Sequence, residues 1–247
     1  MLLDKLEIGA DVEQNEDFLP GNNFILDTGL YPMNVDMAFM GESARGAVFI
    51  TLHLKENGGN RTHRETFYVT SNKENGRRNT YVDKRSGKAR LLPGMESANQ
   101  LSIITTGKKL SALETTEKII KMWNFDSRSE ENTPVPCLTE MLNKPVLVAI
   151  TKRRENKNTK VGNDWIPTND ERLFNEAGKF LYPNGLSVAE KIAGQTETTY
   201  RDNWADKFST DYVNDRYKAL ATDSAVETAS TEAAEETAGE IDSMFDD

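Results

Sequence analysis

Ala47-Val-Phe-Ile-Thr-Leu-His-Leu-Lys55, followed by Glu56-Asn-Gly-Gly-Asn60 and Arg64-Glu-Thr-Phe-Tyr-Val-Thr70, decides the fold class. Successive side chains of an extended strand point to opposite faces. Val48, Ile50, Leu52 and Leu54 therefore share one face, and Phe49, Thr51, His53 and Lys55 the other. The Asn-Gly-Gly-Asn run supplies the residues a hairpin turn needs where φ is positive. On the returning strand Phe67 and Val69 fit the aliphatic face, and Arg64, Thr66, Tyr68 and Thr70 the opposite one. The second face thus interleaves rings (Phe49, Tyr68) with His53, Lys55 and Arg64. Rings can stack on bases and cations can neutralise phosphates, which is what a single-stranded nucleic-acid surface requires. An ordinary half-exposed hairpin would carry the same alternation.

Upstream, Tyr31, Met33, Val35, Met37 and Phe39 alternate with Pro32, Asn34, Asp36 and Ala38, which predicts a strand over 22–41 with Phe39 facing inward. Met33, Met37 and Met40 are assigned to the core or its rim. Downstream, 71–94 is a basic, apolar-poor insertion expected to be exposed, with Asp83–Lys88 as the tip of a second small hairpin. Met95–Thr106 has helical spacing and Gly107 suits its C-cap. Ser111–Glu114 fits a helix start. Lys118–Phe125 fits a strand or a helix end, with Trp123 in the core. Asp126–Pro136 reads as a polar loop and Leu138–Asn143 as a helical turn.

Val146, Val148 and Ile150 mark a strand over 144–155, and Lys152 and Arg154 continue that face. Lys157–Asp164 reads as a basic loop leading to Trp165, which either stacks on a base or caps the core. Arg172–Tyr182 is a last strand with Gly178 as a bulge. Ser187–Ala193 suits a short helix, and 196–220 an amphipathic helical segment. The expected fold is mainly β with a few helices. Five strands with a helix between the third and fourth is the plan of the OB-fold, a five-stranded Greek-key barrel. The domain is placed at 22–195, after an N-terminal arm at 1–21. Residues 221–247, rich in Ala, Thr, Ser and Glu, cannot bury enough apolar surface to order themselves and are expected to form a disordered acidic tail.

A length of 247 residues allows one large domain or two small ones. The lone Cys137 cannot form a disulfide within the chain, which fits a reducing cytoplasm. Two histidines and one cysteine speak against a zinc site, and no cofactor is expected. No apolar run reaches the length of a membrane span, and Met1-Leu2-Leu3-Asp4 does not read as a secretory signal.

The net charge of −10 is unevenly spread. Residues 221–247 carry nine acids and no Lys or Arg, and 1–17 carry six acids against Lys5. The middle is basic: Arg45–Leu92 has a net charge of +7 and Lys144–Lys160 of +5. Such asymmetry points to a polyanion partner more directly than the total does. From the insertion come Arg77, Arg78, Tyr81, Lys84, Arg85, Lys88 and Arg90 as candidate DNA contacts, and from the later strand and loop Lys152, Arg154 and Trp165. Asp27, Asp36, Glu42 and Glu65 show no paired spacing of the kind a two-metal nuclease needs. Gly58-Gly59 is a turn and not a phosphate loop. His53 and His63 flank the turn and read as DNA-side or solvent groups. No catalytic set emerges, so a binding protein is expected and not an enzyme. A protein-interaction or virion component, or a nuclease or its accessory subunit, are the alternatives.

Phe24-Ile-Leu-Asp-Thr-Gly-Leu-Tyr-Pro32 with Phe39-Met-Gly-Glu-Ser-Ala-Arg-Gly-Ala-Val-Phe-Ile-Thr-Leu52, and Tyr81–Lys108 with its Leu-Leu-Pro-Gly and Gly-Lys, resemble the single-stranded DNA-binding proteins of podoviral bacteriophages. The strand at Lys144–Arg154 is similar too. The resemblance spans 22–155. It implies an OB-fold that coats single strands in phage replication, recombination or transcription, in the cytoplasm of the infected bacterial host. Ile241-Asp242-Ser243-Met244-Phe245-Asp246-Asp247 is similar to the acidic, aromatic-ended tails by which such proteins recruit partners, and implies that role for Asp242, Met244, Phe245, Asp246 and Asp247. It departs from the commonest form in placing two aspartates after Phe245.

A tethered run of nine carboxylates reaches an effective concentration near a basic groove of roughly millimolar. Removal of 221–247 is therefore expected to tighten binding of oligo-dT, most at low salt where screening is weakest. Equal affinities of full-length and truncated chains at low salt would refute that competition.

Overall fold

The computed structural model describes residues 25–124, 127–162 and 164–220, and the expectations for the N-terminal arm and the acidic tail lie outside them. In chain order the strands and helices are β1 (Gly29–Glu42), β2 (Val48–Glu56), β3 (Thr62–Tyr68), β4 (Thr80–Val82), β5 (Ala89–Leu91), α1 (Pro93–Thr106), β6 (Thr116–Asn124), β7 (Ser129–Cys137), β8 (Pro145–Val161), β9 (Asp164–Leu181), α2 (Val188–Ile192), α3 (Thr199–Lys207) and β10 (Val213–Asp215). The chain is mainly β with a few helices, as its alternating apolar runs predict.

β1, β2 and β3 form an antiparallel meander. β8 returns to the other edge of β1 over Gly29–Asn34, and β9 folds back along β8. The sheet curls until β3 and β9 approach. There the Glu65 carboxylate accepts the Ala177 backbone N–H at 3.0 Å and lies 3.2 Å from His63 Nε2. Phe67 meets Phe180 edge-on, with centroids 5.7 Å apart. His63 is thus buried inside, not on a solvent or DNA side. Enclosed between these strands are Val35, Ala38, Ile50, Leu52, Leu54, Val146, Val148 and Ile150, with Ala98 and Leu101 of α1 packed among them. The hairpin alternation therefore holds: Ile50, Leu52, Leu54, Phe67 and Val69 are all buried.

β1 departs from its alternation. A bulge between Val35 and Met37 shifts the register with β2. Met33 and Val35 face the core before it and Ala38 after it, so Met37 and Phe39 point to the opposite side. An extra residue on one strand re-aims every side chain beyond it. The expected inner placement of Phe39 is corrected accordingly. Phe39 is still buried, because Cys137 and Val135 of β7 cover it, joined by Ile120 and Met122 of β6.

Five further expectations are corrected. Ser111–Glu114 starts no helix: Leu110–Ala112 is one 3-10 turn and the chain extends into β6. The stretch read as a polar loop is a strand from Ser129 on, since Ser129–Cys137 pairs with β6 along its whole length. Lys157–Val161 and Asp164 belong to a long hairpin in which β8 and β9 run on past the last pairing of β8 with β1. The expected helix at 196–220 is confined to Thr199–Lys207. Beyond it β10 lies parallel to β8. Trp123, placed in the core by its spacing, is 54% exposed. The second small hairpin, the Gly178 bulge and the helices at Met95–Thr106 and Ser187–Ala193 form as expected.

α1 starts with Pro93 and ends at Gly107, whose φ of 75° suits a left-handed cap. Its second residue, Gly94, presses on the β3 backbone, and a Cβ there would overlap the Tyr68 carbonyl. Neither backbone can yield cheaply, so Gly94→Ala is expected to destabilise the fold by about 1–3 kcal/mol, as overpacking does. A melting temperature within error of the unsubstituted chain would contradict this close approach.

Candidate nucleic-acid interface

The outer face of the meander is set by register. Four cross-strand rows run over β1, β2 and β3: Gly41–Phe49–Tyr68, Phe39–Thr51–Thr66, Met37–His53–Arg64 and Asn34–Lys55–Thr62. Successive rows lie about 7 Å apart, two residues of strand rise.

In the first row Phe49 meets Tyr68 edge-on, with centroids 5.9 Å apart and planes at 66°. Gly41 makes this possible, since a Cβ there would stand 2.5 Å from the Phe49 ring. Phe49 is half-buried against β1 and braces Tyr68, which is 43% exposed. In the second row Phe39 is buried under β7 and cannot stack on a ligand. In the third, His53 lies edge-on to Phe39 at 6.1 Å, and its buried Nε2 has no hydrogen-bond partner. Burial, and next the Arg64 charge, hold the His53 pKa below its ordinary value, against a smaller opposing pull from Asp36. His53 therefore presents a neutral ring near pH 7, while Arg64 and Lys55 are exposed cations.

The basic insertion joins the face at its Phe49–Tyr68 end. Ser71 and Asn72 are buried polar residues that pin its base: Ser71 Oγ accepts the Arg78 N–H and Asn72 Oδ1 the Asn75 N–H. The Lys73 N–H donates to the Arg45 carbonyl in the β1–β2 turn, and Arg77 pairs with Glu42 at 2.7 Å. Tyr81 stands opposite Arg90 in the β4–β5 ribbon, and Arg90 pairs with Asp83 at 2.8 Å. Asp83 also accepts the Arg85 and Ser86 N–H groups, which organises the turn and lowers its own pKa. Lys84, Arg78, Arg85 and Lys88 are exposed, the last three without a carboxylate partner among the described residues.

Lys152, Arg154 and Trp165 lie elsewhere. Lys152 pairs with Asp27 at 2.6 Å. Arg154 pairs with Glu171 at 2.7 Å and Asp215 at 3.1 Å, and lies over the Tyr217 ring at 4.6 Å. These two cations hold β10 and the segment before β1 against β8. Past its last pairing with β1, at Ile150, β8 continues to Val161. That extension reaches about 35 Å at strand rise. Near its end Trp165, 66% exposed, stands opposite Lys160. The residues predicted as one set thus divide: Phe49, His53, Lys55, Arg64 and Tyr68 share a face with the insertion beside it, while Trp165 sits on a projecting arm. Asp242, Met244, Phe245, Asp246 and Asp247 lie outside the described residues.

The spacing of 118–125 pointed to Trp123 as core and missed that Ile119 is exposed beside it. Only the even-numbered Ile120 and Met122 pack inward. Among the described residues no His, Cys, Asp and Glu are grouped as metal ligands, and no helix is long and apolar enough to cross a membrane. No family model matches the chain, and none of the curated proteins compared with it does.

Protonating His53 opposes folding. Its folded pKa is lowered, so its contribution to stability is intact above the unfolded value of about 6.5 and is lost as pH falls through the folded one. The melting temperature should therefore drop more between pH 7.5 and 5.5 in the unsubstituted chain than in His53→Gln. Equal drops, together with an imidazole titrating at or above its ordinary value by NMR, would contradict the burial of this ring.

Proposed function

We propose that this chain binds single-stranded DNA without regard to sequence, using the outer face of β2 and β3 and the basic insertion beside it. The curled sheet is read as an OB-fold: β1, β2 and β3, then α1, then β8 returning to β1 and β9 approaching β3. Oligonucleotides bind OB-folds across strands 2 and 3 and the flanking loops, which here are β2, β3, the β1–β2 turn and the β8–β9 arm. The observation that carries the reading is that none of the twelve residues in the four rows is acidic, although the chain has a net charge of −10. Rings supply stacking and Arg64 and Lys55 supply charge, while Asp36, exposed in the β1 bulge beside the third row, sets one negative charge against them. The resemblance to podoviral single-strand binders supports a role in coating DNA during phage replication or recombination, with Phe245 and its neighbouring acids recruiting partners.

Fluorescence anisotropy with labelled oligo-dT tests this. Stacking contributes about 1–3 kcal/mol per base, so Tyr68→Ala should weaken binding by about 5- to 150-fold. Each phosphate neutralised adds about −0.7 to the log–log salt slope for a single strand. Combining Arg78→Ala, Arg85→Ala and Lys88→Ala should therefore flatten that slope by about 2. Failure to bind, binding unaffected by Tyr68→Ala, or metal-dependent shortening of the oligomer would each overturn the proposal.

A further inference from the structure

β6 pairs with β7 along one edge only, and no described strand pairs with its other edge. An unpaired edge presents a row of unbonded N–H and C=O groups, the template on which another strand adds. Natural edges are commonly blunted by proline, a bulge or charged side chains; Thr116–Asn124 pairs with β7 in unbroken register and contains no proline, so its charges, Glu117, Lys118 and Lys121, decide which strand it accepts. Its outward face carries Glu117, Ile119, Lys121 and Trp123, with Ile119 70% and Trp123 54% exposed. Glu117 and Lys121 are exposed and form no ion pair among the described residues.

We propose that this edge pairs with the same edge of a second copy of the chain, in antiparallel register about a two-fold axis at Ile119. Symmetry restricts the choices. A two-fold axis perpendicular to the sheet keeps each face on its own side, so only residues of like parity meet. A centre at Lys118 or Lys121 sets a lysine against itself, and like charges directly opposite each other destabilise a sheet. A centre at Ile120 opposes Ile119 to Lys121 and Glu117 to Trp123, matching neither charge nor apolar surface. A centre at Ile119 sets Ile119 against its own copy and Glu117 against Lys121 twice, once on each side. The charges of the outward face are self-complementary in that register alone among the four, with Lys118 opposite Ile120 on the other face. The contact is isologous and closed, giving a pair and not a filament, and it sets the two β6–β7 ribbons edge to edge, joining the sheets of the two copies. The rows on β2 and β3 are not part of the contact, so each copy keeps its outer face.

Sedimentation equilibrium of the full chain without DNA tests the pairing apart from any DNA-binding role. The unsubstituted chain should approach twice its 27.7 kDa mass as concentration rises. Glu117→Lys and Lys121→Glu, each on an exposed side chain, should each weaken the dimer by about tenfold or more, since two attractive cross-strand pairs become repulsive. Mixing the two single variants should restore a dimer. The copy with Glu117→Lys then presents lysine at both positions, and the copy with Lys121→Glu presents glutamate at both, so each cross-strand pair is again attractive. Circular dichroism of each variant confirms that the fold is kept. A chain monomeric at every concentration, a dimer indifferent to the single substitutions, or a mixture that stays monomeric would overturn the proposal.

Discussion

Strand β1 has to serve two halves of one sheet. It pairs with β2 from Met33 to Glu42 and with β8 from Gly29 to Asn34, so β2 and β8 flank it together only at Met33 and Asn34, and β7 takes up the β8 side again at Phe39. The bulge between Val35 and Met37 falls immediately after this overlap. Bulges bend a strand and increase its twist, and here the bend lets β1 leave β8 while staying with β2. The same extra residue turns Met37 and Phe39 outward, and two large apolar side chains facing water call for a cover. The β6–β7 ribbon supplies it through Val135, Cys137, Ile120 and Met122. Covering β1 half-buries His53 and lowers its pKa, while β2 and β3 keep Tyr68, Arg64 and Lys55 in the open. One backbone irregularity thus divides the outer face into a sealed side and an accessible one.

Charge follows the same division of labour. Lys152 and Arg154 are engaged within the chain, each bonded to a carboxylate from a distant segment. Exposed ion pairs of this kind contribute little to stability, because water and salt screen them. Their effect is to orient β10 and the approach to β1 more than to stabilise them. On β2, β3 and the insertion Lys55, Arg64, Arg78, Arg85 and Lys88 form no ion pair among the described residues. Buried Ser71 and Asn72 fix the base of the insertion, and the Arg77–Glu42 pair ties it to β1, so its cations are carried on anchored backbone at the Phe49–Tyr68 end. A cationic field of this kind mainly raises association rates and sets salt dependence, whereas ring stacking sets residence.

The hairpin at Ala47–Thr70 could be read from residues alone because a period of two and a Gly-rich turn agree. Gly107 marked a helix end for the same reason, since a glycine C-cap is a local chemical signal, whereas the capping box of Ser187 and Glu190 emerges only from the structure. The bulge could not be read, because Tyr31, Met33, Val35, Met37 and Phe39 alternate without a break and the extra residue leaves no trace in composition. β7 was hidden by its polarity and by Pro134 and Pro136, which remove N–H donors and demote a strand by propensity. The β8–β9 arm buries little, so it lacks the apolar alternation that announces a strand. Trp204, Phe208 and Tyr212 repeat every four residues as a helix face would. Their rings do touch, at 5.0 and 4.7 Å, although the helix ends at Lys207. The candidate face on β2 and β3 was visible in sequence. The separation of Lys152, Arg154 and Trp165 from it depends on where β8 diverges from β1, which residue types do not encode.

The central claim is that the acid-free rows on β2 and β3 are where single-stranded DNA lies. Backbone amide shifts of the labelled full-length chain, followed by NMR as unlabelled oligo-dT is added, test it most directly. The account predicts that the largest changes fall on Phe49–Lys55, Arg64–Tyr68 and the insertion, with little change on the far face of α1. Changes confined to other elements, or none at saturating oligomer, would contradict it.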